Sequence, residues 1–343
     1  VISVILGFIS FYFIERLKFS NTKNLRDFFK IKPTIFVFLI LFFCVFSFFD
    51  GNLGRYDKSV VIAGDEARNV NRYRDECFVS KGDKFKSCKF GDSVSVILIG
   101  DSHSDAIVTY LLDTLPKNKG LLYFGYSGCP TLLNANRIKQ KQNESLFCER
   151  FNLWAFDQIS KYNSDIPLII VNRITHYAFG FQSHETEYRS PPHTPVITFG
   201  DDTESIPLSV TDEFLVDFDI NLKETLNYLT NQRDVFFTLP IPEMLVDVPT
   251  AQVINIIEGK DNVSIDLSDY LDRNYHVLNL LKEISEENNK LHLLNPQDYF
   301  CDKVTCFGSD VYGRPYYFDD DHLSEYGNKL LSLMFKSVNH YLP

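Results

Sequence analysis

Val94-Ser95-Val96-Ile97-Leu98-Ile99-Gly100-Asp101-Ser102-His103 is an aliphatic run that ends in a glycine, an acid, a serine and a histidine. Uninterrupted β-branched and aliphatic residues predict a strand buried on both faces of a parallel sheet. Gly100 turns the chain, so Ser102 is expected at the carboxyl edge of that sheet and at the start of a helix, where α/β proteins hold their ligands. A hydroxyl there is placed to act as a nucleophile. The same residues also fit a plain turn that caps a helix, since Asp and Ser are both good N-caps, and the choice rests on the rest of the chain.

Beyond this stretch, short apolar runs alternate with longer amphipathic ones. Strands are predicted at Val94–Ile99, Leu121–Phe124, Leu168–Asn172, Val235–Leu239 and Leu291–Leu294, and helices near Asp105–Leu115, Leu146–Lys161, Phe214–Thr230 and Tyr270–Asn288, with a last one from Ser324 to Tyr341. Five alternations predict an α/β fold, a three-layer α/β/α domain around a five-stranded parallel sheet. The aperiodic stretch from His176 to Asp212 is longer than an ordinary connection and is a candidate substrate-contacting lid.

The 343-residue chain has a net charge of −11 and no basic stripe outside its N-terminal region, which argues against a nucleic-acid partner. Its 31 Phe are concentrated in the first fifty residues. Thr34–Phe49 holds sixteen residues without a charge, just short of the about 17–25 of a spanning helix, and Val1–Ile14 is a second apolar run without the features of a signal peptide. The connection between them carries Arg16, Lys18, Lys23, Arg26, Lys30 and Lys32 against Glu15 and Asp27. Two transmembrane helices with a basic cytoplasmic connection are therefore expected in residues 1–50, which puts the following chain outside the membrane. Residues 51–90 read as a linker and extension, and 91–343 as the catalytic-type domain. Six cysteines fall on the exported side, where disulfides persist. Fifteen pairings are open to them; the short loops favour the neighbour pairs Cys77 with Cys88, Cys129 with Cys148 and Cys301 with Cys306.

A serine nucleophile needs a base, itself oriented by an acid. Phe318-Asp319-Asp320-Asp321-His322-Leu323-Ser324 follows the fifth strand, so its loop opens on the same sheet edge as Ser102. His322 would serve as base and Asp319, three residues earlier, would hold its ring. The acids also fit a solvated turn or a divalent-metal loop, although no further metal ligands are evident. Oxyanion donors are sought in Gly128, after the second strand, and in the Asn172 amide, after the third; a turn glycine and a loop-satisfying asparagine explain them as well. His103, Arg173 and His176 are candidate substrate contacts at the rim.

Taken in order, Gly100-Asp101-Ser102-His103, Gly128, Asn172 and Asp319-x-x-His322 resemble the blocks of SGNH hydrolases, the GDSL family. The closer likeness is to the exported SGNH domain fused to membrane acyltransferase family 3 proteins, which modify surface polysaccharides such as lipopolysaccharide O-antigen. Phe11-Tyr12-Phe13-Ile14-Glu15-Arg16 resembles the end of that membrane domain, and Thr238-Leu239-Pro240-Ile241-Pro242-Glu243-Met244 and the Cys301/Cys306 loop also fit the subgroup. The third block departs from the Gly-x-Asn-Asp pattern, since Val171-Asn172-Arg173 keeps only the asparagine. The resemblance implies a C-terminal part of a longer bacterial inner-membrane protein with residues 51–343 in the periplasm. It implies no cofactor bound in this domain. Acyl-CoA, usually acetyl-CoA, would be the donor through the membrane domain, and a polysaccharide or lipid-linked glycan the acceptor. The implied activity is O-acyl transfer through Ser102, with a carbohydrate esterase or a non-catalytic glycan-binding module as alternatives.

Overall fold

The computed structural model describes residues 11–12, 37–42, 44–45, 56–137, 147–181, 194–200 and 209–343. Most of the two N-terminal apolar runs lies outside them; among the described residues no helix is long and apolar enough to cross a membrane. The chain divides into two units, Val1–Val61 and Ile62–Pro343, and the second carries the fold. Its first half contains α1 (Arg74–Cys77), β1 (Phe78–Val79), β2 (Cys88–Phe90), β3 (Val94–Gly100), α2 (Ser102–Thr114), β4 (Gly120–Tyr126), β5 (Ala135–Arg137), α3 (Cys148–Ser160), β6 (Leu168–Val171) and α4 (Ile174–Phe179). There follow β7 (Ile197–Phe199), α5 (Asp212–Thr230), β8 (Val235–Thr238), α6 (Val248–Glu258), β9 (Ser264–Asp266), α7 (Leu267–Glu287), β10 (Leu291–Leu294), α8 (Gln297–Phe300), β11 (Thr305–Phe307), α9 (Glu325–Asn328) and α10 (Ser332–Lys336).

Successive side chains of a strand point to opposite faces, and β3 divides its apolar residues accordingly. Ile97 and Ile99 join a core with residues of α3, α5 and α7, whereas Val96 and Leu98 join a second core with α2, α10 and Val248 of α6. The sheet is thus covered on both sides, as its unbroken apolar strands require. All five predicted strands are present and parallel, in the order β4-β3-β6-β8-β10.

The predicted count of five needs correction, because among the described residues the sheet has seven strands. Both additions lie along β4: β1 pairs with it in parallel at Gly125 and Tyr126, and β2 antiparallel at Leu121–Tyr123. The Cys77–Cys88 disulfide ties the end of α1, directly before β1, to the start of β2 and makes a clip over the β4 edge. The last predicted helix is also different. From Glu325 to Tyr341 the chain makes two short α-helices and two 3₁₀ segments, with Gly327 pressed against the Tyr316 backbone where a side chain would not fit.

The connection after β3 packs α2 on one face, while that after β6 leads to α5 on the other. Neighbouring strands whose chains depart to opposite faces leave a crevice at their carboxyl ends. Gly100 permits the tight passage there: a Cβ on it would fall on the Val171 carbonyl oxygen and within 2.8 Å of the Ser104 Cβ. The predicted lid stretch contributes α4 and β7, the latter paired antiparallel with β5; residues 182–193 and 201–208 of that stretch lie outside the described ones.

Candidate active site

Ser102 opens α2 at the mouth of this crevice, and Asp101 is the N-cap. One Asp101 carboxylate oxygen accepts from the His103 backbone N–H at 2.8 Å; the other accepts from the Arg173 N–H and the Tyr177 hydroxyl, both at 2.8 Å. A single buried acid thus ties the start of α2 to the chain leaving β6 and to α4. The helix start that carries Ser102 is fixed from three sides.

His322 comes from the loop between Tyr317 and Leu323, which are bridged to each other. The carbonyls of Asp319 and Asp320 accept from the backbone N–H groups of Val248 and Met244, which anchors this loop to the start of α6. The His322 ring stacks on Phe318 and brings Nε2 to 2.6 Å from Ser102 Oγ. At its other nitrogen, Nδ1 lies 2.9 Å from Asp319 Oδ2 and 2.7 Å from Asp321 Oδ1. The second Asp319 oxygen accepts from the backbone N–H groups of Asp321 and His322. Ser324 caps α9 by accepting from the Gly327 N–H.

Gly128, at φ 65°, and Ser127 line a cavity of about 240 Å³ together with Ser102, His322, Arg173 and His176. The Cys129–Cys148 disulfide holds the Gly128 loop against α3, and the other two neighbour pairs are bonded as well. Asn172 is buried; its carbonyl oxygen accepts from the Thr131 N–H at 3.0 Å, and its Nδ2 has no hydrogen-bond partner among the described residues. His176 lines the cavity, buried, with Nδ1 also unpartnered among the described residues. Burial, followed by the charges of Arg173 and Arg137, holds its imidazole well below the usual histidine range, hence neutral.

Two sequence candidates have buried acidic partners, and of these only Arg173 also lines the cavity. His103 is buried and turns Nε2 to Asp321 Oδ2 at 3.3 Å, so it backs the loop rather than lining the cavity. Arg173 gives Nε and one terminal nitrogen to Glu243, at 2.9 and 2.8 Å, and the other terminal nitrogen to Asp321 Oδ2 at 2.8 Å. Asp321 and Glu243 are therefore central to the site, although neither was selected from the sequence. An acid directly preceding His322, and a lone glutamate in the Pro240-Ile241-Pro242-Glu243 segment, were the available signals. Burial would raise the Glu243 carboxyl, but Arg173 beside it outweighs this and holds it at about 2, against a usual 4.5.

That depression makes a prediction for acid stability. A carboxylate whose pKa falls on folding stabilises fully above its unfolded value, and the contribution is lost as pH falls from about 4.5 through about 2. The gap corresponds to about 3 kcal/mol. Melting temperature should drop across this window, and Glu243→Gln should flatten the drop; an equal slope in both proteins would refute the assignment.

A parallel sheet with a serine at its switch point and a histidine-bearing loop on the same edge defines an SGNH-type α/β domain. The chain belongs to the SGNH domain family, in the form described as fused to AT3 domains, whose model matches residues 72–337. No curated protein sequence matches it. Among solved structures it is similar to the periplasmic domain of a lipopolysaccharide acetyltransferase from Salmonella ser. Paratyphi A, at 11% identity over 84% of this chain and 97% of that one, with a TM-score of 0.50. A structure from Parabacteroides merdae named for its likeness to GDSL lipases matches at 12% identity over 74% of this chain and 98% of that one, with a TM-score of 0.37. At these identities the first likeness concerns the fold, and the second carries no weight here.

Proposed function

We propose that this domain is an O-acyltransferase, most simply an O-acetyltransferase, that carries an acyl group on Ser102 and passes it to a sugar hydroxyl of a bacterial surface polysaccharide such as lipopolysaccharide O-antigen. The observation that carries the proposal is the 2.6 Å approach of His322 Nε2 to Ser102 Oγ, with acids on the opposite ring nitrogen. His322 takes the Ser102 proton as Oγ attacks the acyl carbonyl, and Asp319 holds the ring in the tautomer that leaves Nε2 free to accept. The proton then goes to the leaving group. In the second half-reaction the sugar hydroxyl gives its proton to Nε2 as its oxygen attacks the ester carbonyl, and Nε2 passes that proton to Ser102 Oγ as the serine leaves. The N–H groups of Ser102 and Gly128 and the Asn172 Nδ2 meet the oxyanion charge. Asn172 does not line the cavity itself, but its amide is a buried donor without a partner among the described residues, which is costly unless it has a ligand. For the same reason His176 is assigned to the acceptor, while Arg173 and His103 act through Asp321.

The three disulfides support placement in an oxidising compartment on the exported side of the bacterial inner membrane. Acyl-CoA on the cytoplasmic side, reached through the AT3 membrane domain of the family, is the proposed donor, with no cofactor resident in this domain. The test is to incubate the full-length protein with acetyl-CoA and defined glycans and to follow products by mass spectrometry. Acetylated glycan is expected; acetate released to water instead would make the site an esterase, and neither product would leave a glycan-binding module.

A further inference from the structure

Two carboxylates compete for the single proton on His322 Nδ1, and their surroundings differ sharply. The Asp319 side chain is 31% exposed, and its other oxygen is occupied by two backbone N–H groups, so it also shapes the loop. The Asp321 side chain is 4% exposed, lies nearer at 2.7 Å, and has its second oxygen fixed by Arg173 and His103. Arg173 is in turn clamped by Glu243 through two parallel hydrogen bonds, the geometry that gives a guanidinium a fixed orientation. Of two held carboxylates, the desolvated one keeps its field, whereas the one more open to solvent is screened.

Resting on the acyl-transfer reading of Ser102, we propose that Asp321 is a second positioning acid for His322, held in place by the Arg173–Glu243 pair, and that it takes the larger share of the Nδ1 proton. Asp319 keeps the smaller share and also closes the loop. The arrangement is a relay of buried charges, Glu243 to Arg173 to Asp321 to His322, running from the segment before α6 to the reacting serine. The other groups facing His322 do not replace it. His103 from α2 is itself turned to Asp321, Asp105 from α2 is engaged by Asn71 and Arg74, and Arg74 lies across the Phe318 ring. Removing the Asp321 charge lowers the proton affinity of His322, so the pH at which the base becomes competent moves down.

The experiment measures the pH dependence of Ser102 labelling by a fluorophosphonate probe in the full chain, together with the His322 imidazole resonances by NMR. Asp321→Asn should move the acid limb of the labelling profile down by about one pH unit or more and abolish the downfield Nδ1–H resonance; a merely structural Asp321 would leave the limb where it is. Asp319→Asn, at a half-buried position that keeps its backbone-accepting oxygen, should still fold, retain the resonance and lose less than about tenfold in labelling rate. The proposal is overturned if Asp319→Asn removes the resonance and falls to the Ser102→Ala level, or if Asp321→Asn leaves limb and resonance unchanged. Should Asp321→Asn not fold, the Asp319→Asn result decides alone. Absence of labelling in the unmodified chain would count against the acyl-transfer reading, and the NMR resonances would still assign the proton between the two acids.

Discussion

Ser102→Ala is expected to lower acyl transfer by a factor on the order of 10⁴ to 10⁶ and to leave the fold intact. The hydroxyl is the atom to which the acyl group is bonded in the proposed mechanism, so no neighbouring group can stand in for it. Its side chain contributes little to folding: its hydrogen bond is to His322, and the cap of α2 is made by Asp101. Alanine is also a good residue in a first helical turn. Unfolding free energy should therefore stay within about 0.5 kcal/mol of the parent. Product mass spectrometry and a denaturation curve on the same preparation check both halves. Full transfer by a folded Ser102→Ala protein would end the mechanism.

Arg173→Met is expected to have the largest effect on stability, about 3–5 kcal/mol. The guanidinium is 9% exposed and meets two carboxylates that are themselves buried, Glu243 and Asp321. Methionine fills some of the volume but leaves both acids without their counter-ion, and an unpaired buried charge costs far more than a lost surface pair. Urea denaturation measures the loss. Adding Glu243→Met to Arg173→Met should recover part of it, since one of the stranded charges is then gone. A loss below about 1 kcal/mol would mean that water or rearrangement replaces the arginine, and the buried relay behind His322 would not exist as drawn.

The parallel core was legible because its strands are continuous apolar runs ending in punctuation: Gly100 after the first, Asn172 after the third. The edge clip was not, because β1 has two residues and β2 three, too short for any periodicity. They exist only by pairing with β4 and by their disulfide. Helix α6 was missed although Asp247 caps it, Pro249 lies in its first turn and Gly259 closes it in the left-handed region; its Pro-rich approach reads as loop. In the site, Ser102 and His322 were placed by motif and meet across 220 positions of sequence. The role of Asp321 was hidden because the three acids before His322 are chemically alike in sequence. Only folding distinguishes the one that faces Arg173. The partners of Arg173 were hidden as well, since nothing in the sequence shows that Glu243, seventy positions away, folds against it.

All three disulfides join cysteines that are consecutive in the sequence after Cys44: Cys77 with Cys88, Cys129 with Cys148, Cys301 with Cys306. Under the proposed export, with the amino end delivered first, the next thiol to arrive is the correct partner of the one before it in each pair. No bond formed in that order has to be undone. An oxidant alone can then complete the covalent framework without a reshuffling enzyme. In that order the Cys129–Cys148 bond beside Gly128 can close before the His322 loop is delivered.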